Sequence, residues 1–481
     1  MKNVRQSQSN SRTYCQAGLR SGVPRRQERG TVIVLVAVVM LFVVGAMAAI
    51  SIDVVTLYTA RSEAQLAADS AALAAARVLA NSGATSDTSG QSMARAWAIA
   101  QAVATQVAVQ NQVAGTNLTS SQVTFPNGPG GTNNSSNTNP TVTVQVQVKT
   151  LPAFFSRIWG NTQLAVSASA TAEAYNPSPV STSSDVTQPP VAPLCVKPWL
   201  LPNIDPNIQT QPIFAPTTGA IQDSALLGWQ TQDVNNPASG TYLKTACTGG
   251  NCTPLPNPPL TSWLYLPGSP TNFPSPGAAS VSCNGSSGFT PYQLSVAGCV
   301  QTPIACNASV GIDLSNYPTR DDETTTAVNC LTHASPFGRV RDGDSVDQTI
   351  SSPFLPFEFL AGDENPLVKS GAILRGTDVL VSDSLVTVPV FDVTTYTTSS
   401  TSVQIIGFVQ LFLNPEGTGT RTGGQGQYQV HTMVTNMAGC GSGATGATGT
   451  ALIGNGASPV AVRLISPSTV SQVSGLSQRK P

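Results

Sequence analysis

The pattern of apolar and polar positions divides the chain into unlike stretches. From Thr31 to Ile52, TVIVLVAVVMLFVVGAMAAISI runs for 22 residues without a charge. Apolar residues occupy every face, so no side of this helix is suited to water. At about 1.5 Å per residue it reaches about 33 Å, enough to cross a hydrocarbon core of about 30 Å. The helical pattern continues beyond it. Residues Asp53 to Ala80 lack Gly and Pro and are dominated by Ala and Leu, and Asn81-Ser82-Gly83 supplies a stop. One helix of about 50 residues, about 75 Å long, is expected. Within it Leu66 and Leu73 repeat at seven, while Ala60, Ala64, Ala68, Ala72 and Ala76 repeat at four. Such a stripe of methyl groups lets another helix approach closely. Ser92 to Gln112 offers the partner, with Ala94, Ala98 and Ala102 at spacing four beside Ile99, Val103 and Val107. A helical hairpin is expected.

The period then changes from helical to alternating. Val142, Val144, Val146 and Val148 alternate strictly in TVTVQVQVKT, the mark of a half-buried strand, and Gln163 to Tyr175 returns in the same way through Leu164, Val166 and Ala168. Between them, Leu151 to Gly160 reads as a short helix. Asn127 to Pro140 is a Gly, Asn and Ser loop. Residues 177–193 form a Pro, Ser and Thr linker with no apolar period. From Leu194 to about Ser309 prolines recur among aromatic and cysteine positions, which favours irregular structure held by disulfides. Strand-like runs follow at Asp378–Ser382, Leu385–Val393, Val403–Leu413 and Tyr428–Val434, predicting a mixed, mainly antiparallel sheet. Gly439 to Gly456 is Gly, Ala and Thr-rich low complexity.

Charge adds a direction. Lys2, Arg5, Arg12, Arg20, Arg25, Arg26 and Arg29 against Glu28 give residues 1–30 a net of +6, and the net of −1 for the whole chain leaves −7 beyond them. The positive-inside rule puts residues 1–30 in the cytoplasm and everything from Asp53 onward outside. Ala46-Met47-Ala48 fits the small-x-small pattern of signal cleavage, but signal cores run about 7 to 15 residues and this span is longer, so a retained anchor is expected. Cysteine usage agrees. Cys15 stands alone on the inner side, whereas Cys195, Cys247, Cys252, Cys283, Cys299, Cys306, Cys330 and Cys440 make an even set outside, where an oxidising compartment would pair them. Connectivity is open, with Cys247 and Cys252 placed to meet across Thr-Gly-Gly-Asn.

The order of Glu28-Arg29-Gly30, the apolar span, Asp53, Leu57-Tyr58, Arg61 and Ala67-Ala68-Asp69-Ser70-Ala71-Ala72-Leu73-Ala74-Ala75-Ala76 resembles the TadG-like family of Tad (Flp) pilus assembly proteins. Leu151-Pro152-Ala153-Phe154-Phe155-Ser156-Arg157 and a strand ending Ala168-Ser169-Ala170-Thr171-Ala172 extend the resemblance over residues 28 to 175. The resemblance implies an inner-membrane protein with an exported part, belonging to a machine that builds thin adhesive pili. Two features of relatives are missing. Prepilins are cut after a Gly that has Glu five residues on, and Leu35 stands there after Gly30; the metal-ion adhesion motif Asp-x-Ser-x-Ser is absent, with Asp313-Leu314-Ser315-Asn316-Tyr317 failing at its last position.

The expected fold class is α+β: an N-terminal transmembrane helix extends into a long Ala-rich helix packed on a second helix and a small antiparallel sheet, followed by a β-rich, Pro/Gly-rich, disulfide-containing exported domain. Its parts are a basic cytoplasmic tail (1–30), the transmembrane helix (31–52), the TadG-like hairpin and sheet (53–176), a linker (177–193), the β-rich exported domain (194–437) and a Gly/Ala/Thr-rich tail (438–481).

Composition and motifs narrow the chemistry. Charged residues are 10% of the chain against roughly 25% in ordinary soluble domains, and 23 basic against 24 acidic side chains leave no field to attract nucleic acid. There is no Gly-x-Ser-x-Gly, His-Glu-x-x-His or P-loop, and His333 and His431 are the two histidines. Gly441-Ser442-Gly443-Ala444-Thr445-Gly446 lacks the following helix and acid of a dinucleotide site. Asp321-Asp322-Glu323 and Asp342, Asp344 and Asp347 lack EF-hand spacing and read as solvated loop carboxylates. Asp53 is expected to end the span, and Asp69 is grouped with Ala60, Ala64, Ala68, Ala72 and Ala76 as the candidate helix-docking surface. The expectation is a non-enzymatic protein with no cofactor, metal or small-molecule substrate. Its partners are the lipid bilayer and other pilus-assembly or secretion membrane proteins, with a membrane-anchored adhesin as the other reading.

Overall fold

The computed structural model describes residues 29–90, 92–126, 139–152, 155, 163–178, 190–205, 211–222, 224–228, 247–248, 251–252, 264–268, 288–300, 302–313, 322–333, 343–347, 356–380, 382–397, 399–414, 431–440, 452–454 and 458–465. In chain order the main elements are α1 (Arg29–Asn81), α2 (Met93–Val109), β1 (Val123–Thr124), β2 (Thr141–Pro152), β3 (Gln163–Tyr175), β4 (Val191–Pro193), β5 (Trp199–Pro202), β6 (Leu264–Tyr265), α3 (Pro291–Ala297), β7 (Ser309–Gly311), β8 (Leu385–Phe391), β9 (Ser402–Asn414), β10 (His431–Gly439), β11 (Leu452–Gly454) and β12 (Ala461–Ile465).

Two compact units divide the chain. The first comprises residues 1–56 with 152–162, so it contains the apolar part of α1 and the connection between β2 and β3. The helix runs unbroken because no proline interrupts Arg29–Asn81. The connection lies, apart from Pro152 and Phe155, outside the described residues, and so does most of the short helix expected over Leu151–Gly160. Leu151 and Pro152 themselves continue the strand.

The second unit comprises residues 57–151 with 163–481. Its first sheet has the order β12-β3-β2-β1. β2 buries Val142, Val144, Val146 and Val148 on the face that alternation predicts, and these valines share one core with the C-terminal half of α1 and with α2. The fourth strand comes from the far end of the sequence: Ala461–Ile465 pairs antiparallel with Tyr175–Thr171, Arg463 opposite Glu173. Residues 438–481 were expected as a low-complexity tail, yet they contribute this strand and β11, which pairs in parallel with β4 at the end of the expected linker. Three- and five-residue segments held by long-range pairing carry too little period to stand out in sequence.

A six-stranded sheet of order β6-β5-β8-β9-β7, with β10 also paired to β9, forms the rest of the unit's centre. β5 and β8 run parallel; the other pairs are antiparallel. All seven residues of β8 are buried, as expected for a near-continuous apolar run covered on both faces. Gly407 and Gly439 face each other across β9 and β10 and leave room for the Phe214 ring. The Pro-rich region was expected to lack central strands. Trp199–Pro202 corrects this, because it lies between β6 and β8, and its four residues are too few to show alternation.

Candidate functional site: a bare apolar helix and a buried alanine face

Within the first unit, the large apolar side chains from Val32 to Ile52 remain 45–74% exposed. An apolar surface of that extent has no stable place in water and suits hydrocarbon. The hydroxyls toward its C-terminal end are spent internally, Ser51 Oγ donating to the Ala48 carbonyl at 2.7 Å and Thr56 Oγ1 to the Ile52 carbonyl at 2.9 Å. Asp53 does more than end the span. Its side chain is buried, and its carboxylate accepts the backbone N–H of Phe155 at 3.1 Å.

Within the second unit, Ala60, Ala64, Ala68, Ala72 and Ala76 have no exposed surface, and Ala67, Ala71 and Ala75 are equally buried beside them. The surface they line is internal: α2, the valines of β2 and the alanines of β3 fill it. The return of α2 along α1 is pinned at its base. Asn111 Nδ2 contacts Ser70 Oγ at 3.5 Å, and the Ala114 N–H donates to Glu63 Oε2 at 2.7 Å, so later residues meet earlier turns of α1. The packing face of α2 differs from the expected one. Ala94, Ala98 and Ala102 are exposed, while Met93, Ala96, Trp97, Ala100, Ala104 and Ala108 are buried. Two alanine rows share spacing four on this helix, and Trp97 and Met93, with far more apolar surface, decide which one turns inward. Asp69 is half-buried and accepts Gln65 Nε2 at 2.7 Å, and the same amide reaches the Ser169 carbonyl of β3 at 3.2 Å.

The tip of the hairpin, residues 81–92, was expected only as a stop. It is a buried polar seam. Ser86 Oγ donates to the Met437 carbonyl at 2.6 Å, Asn176 Nδ2 donates to the same carbonyl at 2.9 Å, and Asn436 Nδ2 reaches Thr85 Oγ1 at 3.1 Å. Asn81 Nδ2 donates to the Leu380 carbonyl at 2.7 Å. Burial pushes the Asp87 carboxyl up, but the Ser89 and Ser92 hydroxyls donating at 2.6 and 2.7 Å, joined by the N–H groups of the same residues at 2.9 and 3.1 Å, hold it below the usual range. A run of short polar residues reads as a loop in sequence, and only the partners at Asn176 and Asn436 make it a core.

The cysteines fall as follows. Cys195 bonds to Cys299 and Cys306 to Cys440. Cys330 is also disulfide-bonded. Cys247 and Cys252 are opposed in a two-stranded hairpin, and Cys283 lies outside the described residues. The Cys195–Cys299 bond brackets a buried ammonium that sequence reasoning missed. Lys197 Nζ donates to the Val296 carbonyl at 2.9 Å and to the Gly298 carbonyl, at the C-terminal end of α3. Burial pushes this lysine down to about 7, with the Asp383 charge opposing.

Asp344 corrects another expectation. It is buried rather than solvated, and it accepts Gly362 N–H, Asn365 Nδ2 and Ser382 Oγ within 2.6–3.1 Å. Among the described residues no three His, Cys, Asp or Glu side chains are grouped to hold a metal ion. His333 pairs with Asp383 at 2.8 Å, both partly exposed. The Gly441–Gly446 run lies outside the described residues.

These features define a membrane-anchored chain whose apolar helix continues directly into the packed core of an α+β fold. Residues 30–78, the span and the alanine face, match the Tad family model, described as Flp pilus-assembly TadE/G-like. No curated protein and no solved structure matches the chain.

Proposed function

We propose that this protein is a single-pass, inner-membrane-anchored, non-enzymatic component of Tad/Flp pilus assembly or related secretion machinery, with residues 1–30 in the cytoplasm and the bulk of the chain outside. The observation that carries the reading is the continuity of α1. One helix exposes its large apolar side chains over Val32–Ile52 and buries an alanine face from Ala60 to Ala80, and the family match covers that transition. A span that only delivers a protein to the exterior has no need to be the central helix of its folded part. A helix that belongs to both the anchor and the exported fold suits a scaffold in a membrane machine. The net of +6 before the span supports the orientation.

Cross-linking the full-length protein in intact cells, followed by purification, tests the partner claim: other membrane proteins of the pilus machine are expected to co-purify. Recovery at the outer surface without them would move the assignment to an anchored adhesin. Cys15 is expected to stay unreactive toward a membrane-impermeant thiol reagent in intact cells, and labelling there would reverse the orientation.

A further inference from the structure

Every second residue from Cys195 to Trp199 is tied to α3 or its end, each through a different chemistry. Cys195 is bonded to Cys299, just beyond the helix. Lys197 Nζ donates to the Val296 carbonyl at 2.9 Å and to the carbonyl of Gly298, the residue that caps α3. Trp199 Nε1 donates to the Tyr292 hydroxyl in the first turn of α3 at 3.0 Å, and that hydroxyl lies 2.9 Å from Thr324 Oγ1 on the helix Asp322–Leu331. The two ends of α3 are therefore held unequally. Tyr292 is locked between a strand and a second helix. The Gly298 end is held by the lysine, by the disulfide and by the Val300 N–H, which donates to the Val196 carbonyl at 3.0 Å.

The lysine depends on that second end. It is 3% exposed, and a buried ammonium is stable only where acceptors replace water. Both of its acceptors lie within the four residues that lead to Cys299. Cys195 sits at φ 62°, in the left-handed region that a residue with a side chain occupies only when its surroundings enforce it. The bond to Cys299 is one such enforcement, and Lys197 is two residues away. Cutting the bond lets Cys195 return to negative φ and releases the turn that carries the Gly298 carbonyl.

We propose that the Cys195–Cys299 disulfide is a redox-sensitive clasp: closed, it seals the Lys197 amine against the end of α3, and its reduction by a dithiol opens the turn from Ala297 to Val300 and brings the amine to water. A thiolate of the dithiol attacks Cys195 Sγ, on the less buried of the two residues; the S–S bond breaks, and Cys299 leaves as a thiolate that takes up a proton. The second thiol of the reductant then displaces Cys195, so that two cysteine thiols and one cyclic disulfide result. The clasp goes beyond the assembly role and does not depend on it.

The test uses the full-length chain in detergent micelles, acylated at mildly alkaline pH with an amine-reactive succinimidyl ester. Mass spectrometry reads the label on Lys197, with the exposed Lys149 as reference. Lys197 is expected to be protected in the oxidised chain and to react about tenfold faster or more after dithiothreitol, as local opening replaces burial. The double variant Cys195→Ser, Cys299→Ser should react at the fast rate without reductant. The double variant Cys306→Ser, Cys440→Ser should stay protected until dithiothreitol is added. Fast labelling of the oxidised chain, continued protection of Lys197 in the Cys195→Ser, Cys299→Ser protein, or equal labelling of the two variants without reductant would each overturn the proposal. Loss of cooperative melting in the Cys195→Ser, Cys299→Ser protein would overturn it as well, because the bond would then hold the whole fold and not one turn.

Discussion

The side-chain amide of Asn176 donates to the backbone carbonyl of Met437 across 2.9 Å, with no exposed surface on the asparagine. This bond joins the residue that follows β3 to the middle of β10, and Ser86 from the hairpin tip converges on the same carbonyl. Three distant segments are thus closed around one polar point.

Removing that amide takes a donor from the buried carbonyls of Met437 and Thr85, the first of which keeps Ser86. Asn176→Ala is expected to lower stability by about 1 to 3 kcal/mol, the cost of unsatisfied buried polar groups. Asn436→Ala should cost a similar amount, and the double variant less than the sum, because both belong to one network. Denaturant unfolding of the detergent-solubilised chain measures all three. A neutral Asn176→Ala would show that the seam contributes nothing.

The alanine face should resist enlargement. Ala72 has no exposed surface, and leucine there would force α1 from α2 and the sheet, costing about 1 to 3 kcal/mol. Ala98 on the outer side of α2 is the control, since leucine there meets solvent and helix propensity hardly changes. Comparable melting temperatures for Ala72→Leu and Ala98→Leu would refute the packing described.

Lys197 gives stability a pH dependence of definite sign. Its pKa in the folded chain is depressed to about 7 from an ordinary 10.5 by burial. Between those values the unfolded chain binds a proton that the folded chain does not, so this residue makes stability rise with pH across the window. Each pKa unit is worth about 1.4 kcal/mol, so the rise is on the order of several kcal/mol. Lys197→Met is expected to flatten the slope between pH 7 and 10.5. Chemical unfolding at stepped pH provides the comparison, and identical slopes for the two proteins would exclude Lys197 as its source.

Much of this arrangement was legible in the residues. The apolar span, its continuation to Asn81, the alternating valines of β2 and the bounds of β3 all follow from period alone, because each is long and regular. The alanines at spacing four on α1 are buried, whereas the row expected on α2 is exposed. Spacing four fits Ala94, Ala98 and Ala102 as well as Ala96, Ala100 and Ala104, and Trp97 settles the choice by bulk. The strand at Ala461–Ile465 and the seam around Asn436 depend on partners nearly 300 or more residues away in places, such as Arg463 on Glu173 and Asn436 on Thr85. No local pattern encodes such a pairing. Asp53 likewise reads as a span terminus until Phe155 is brought to it.

The central claim is that the anchored helix, and not merely the exported fold, is what pilus assembly uses. Counting surface pili tests it in cells that carry either the intact chain or a form released by a cleavable signal peptide in place of residues 1–52, at equal protein levels. Normal pili with the intact chain and their loss with the released form are the expected result. Normal piliation with the released form would contradict the account.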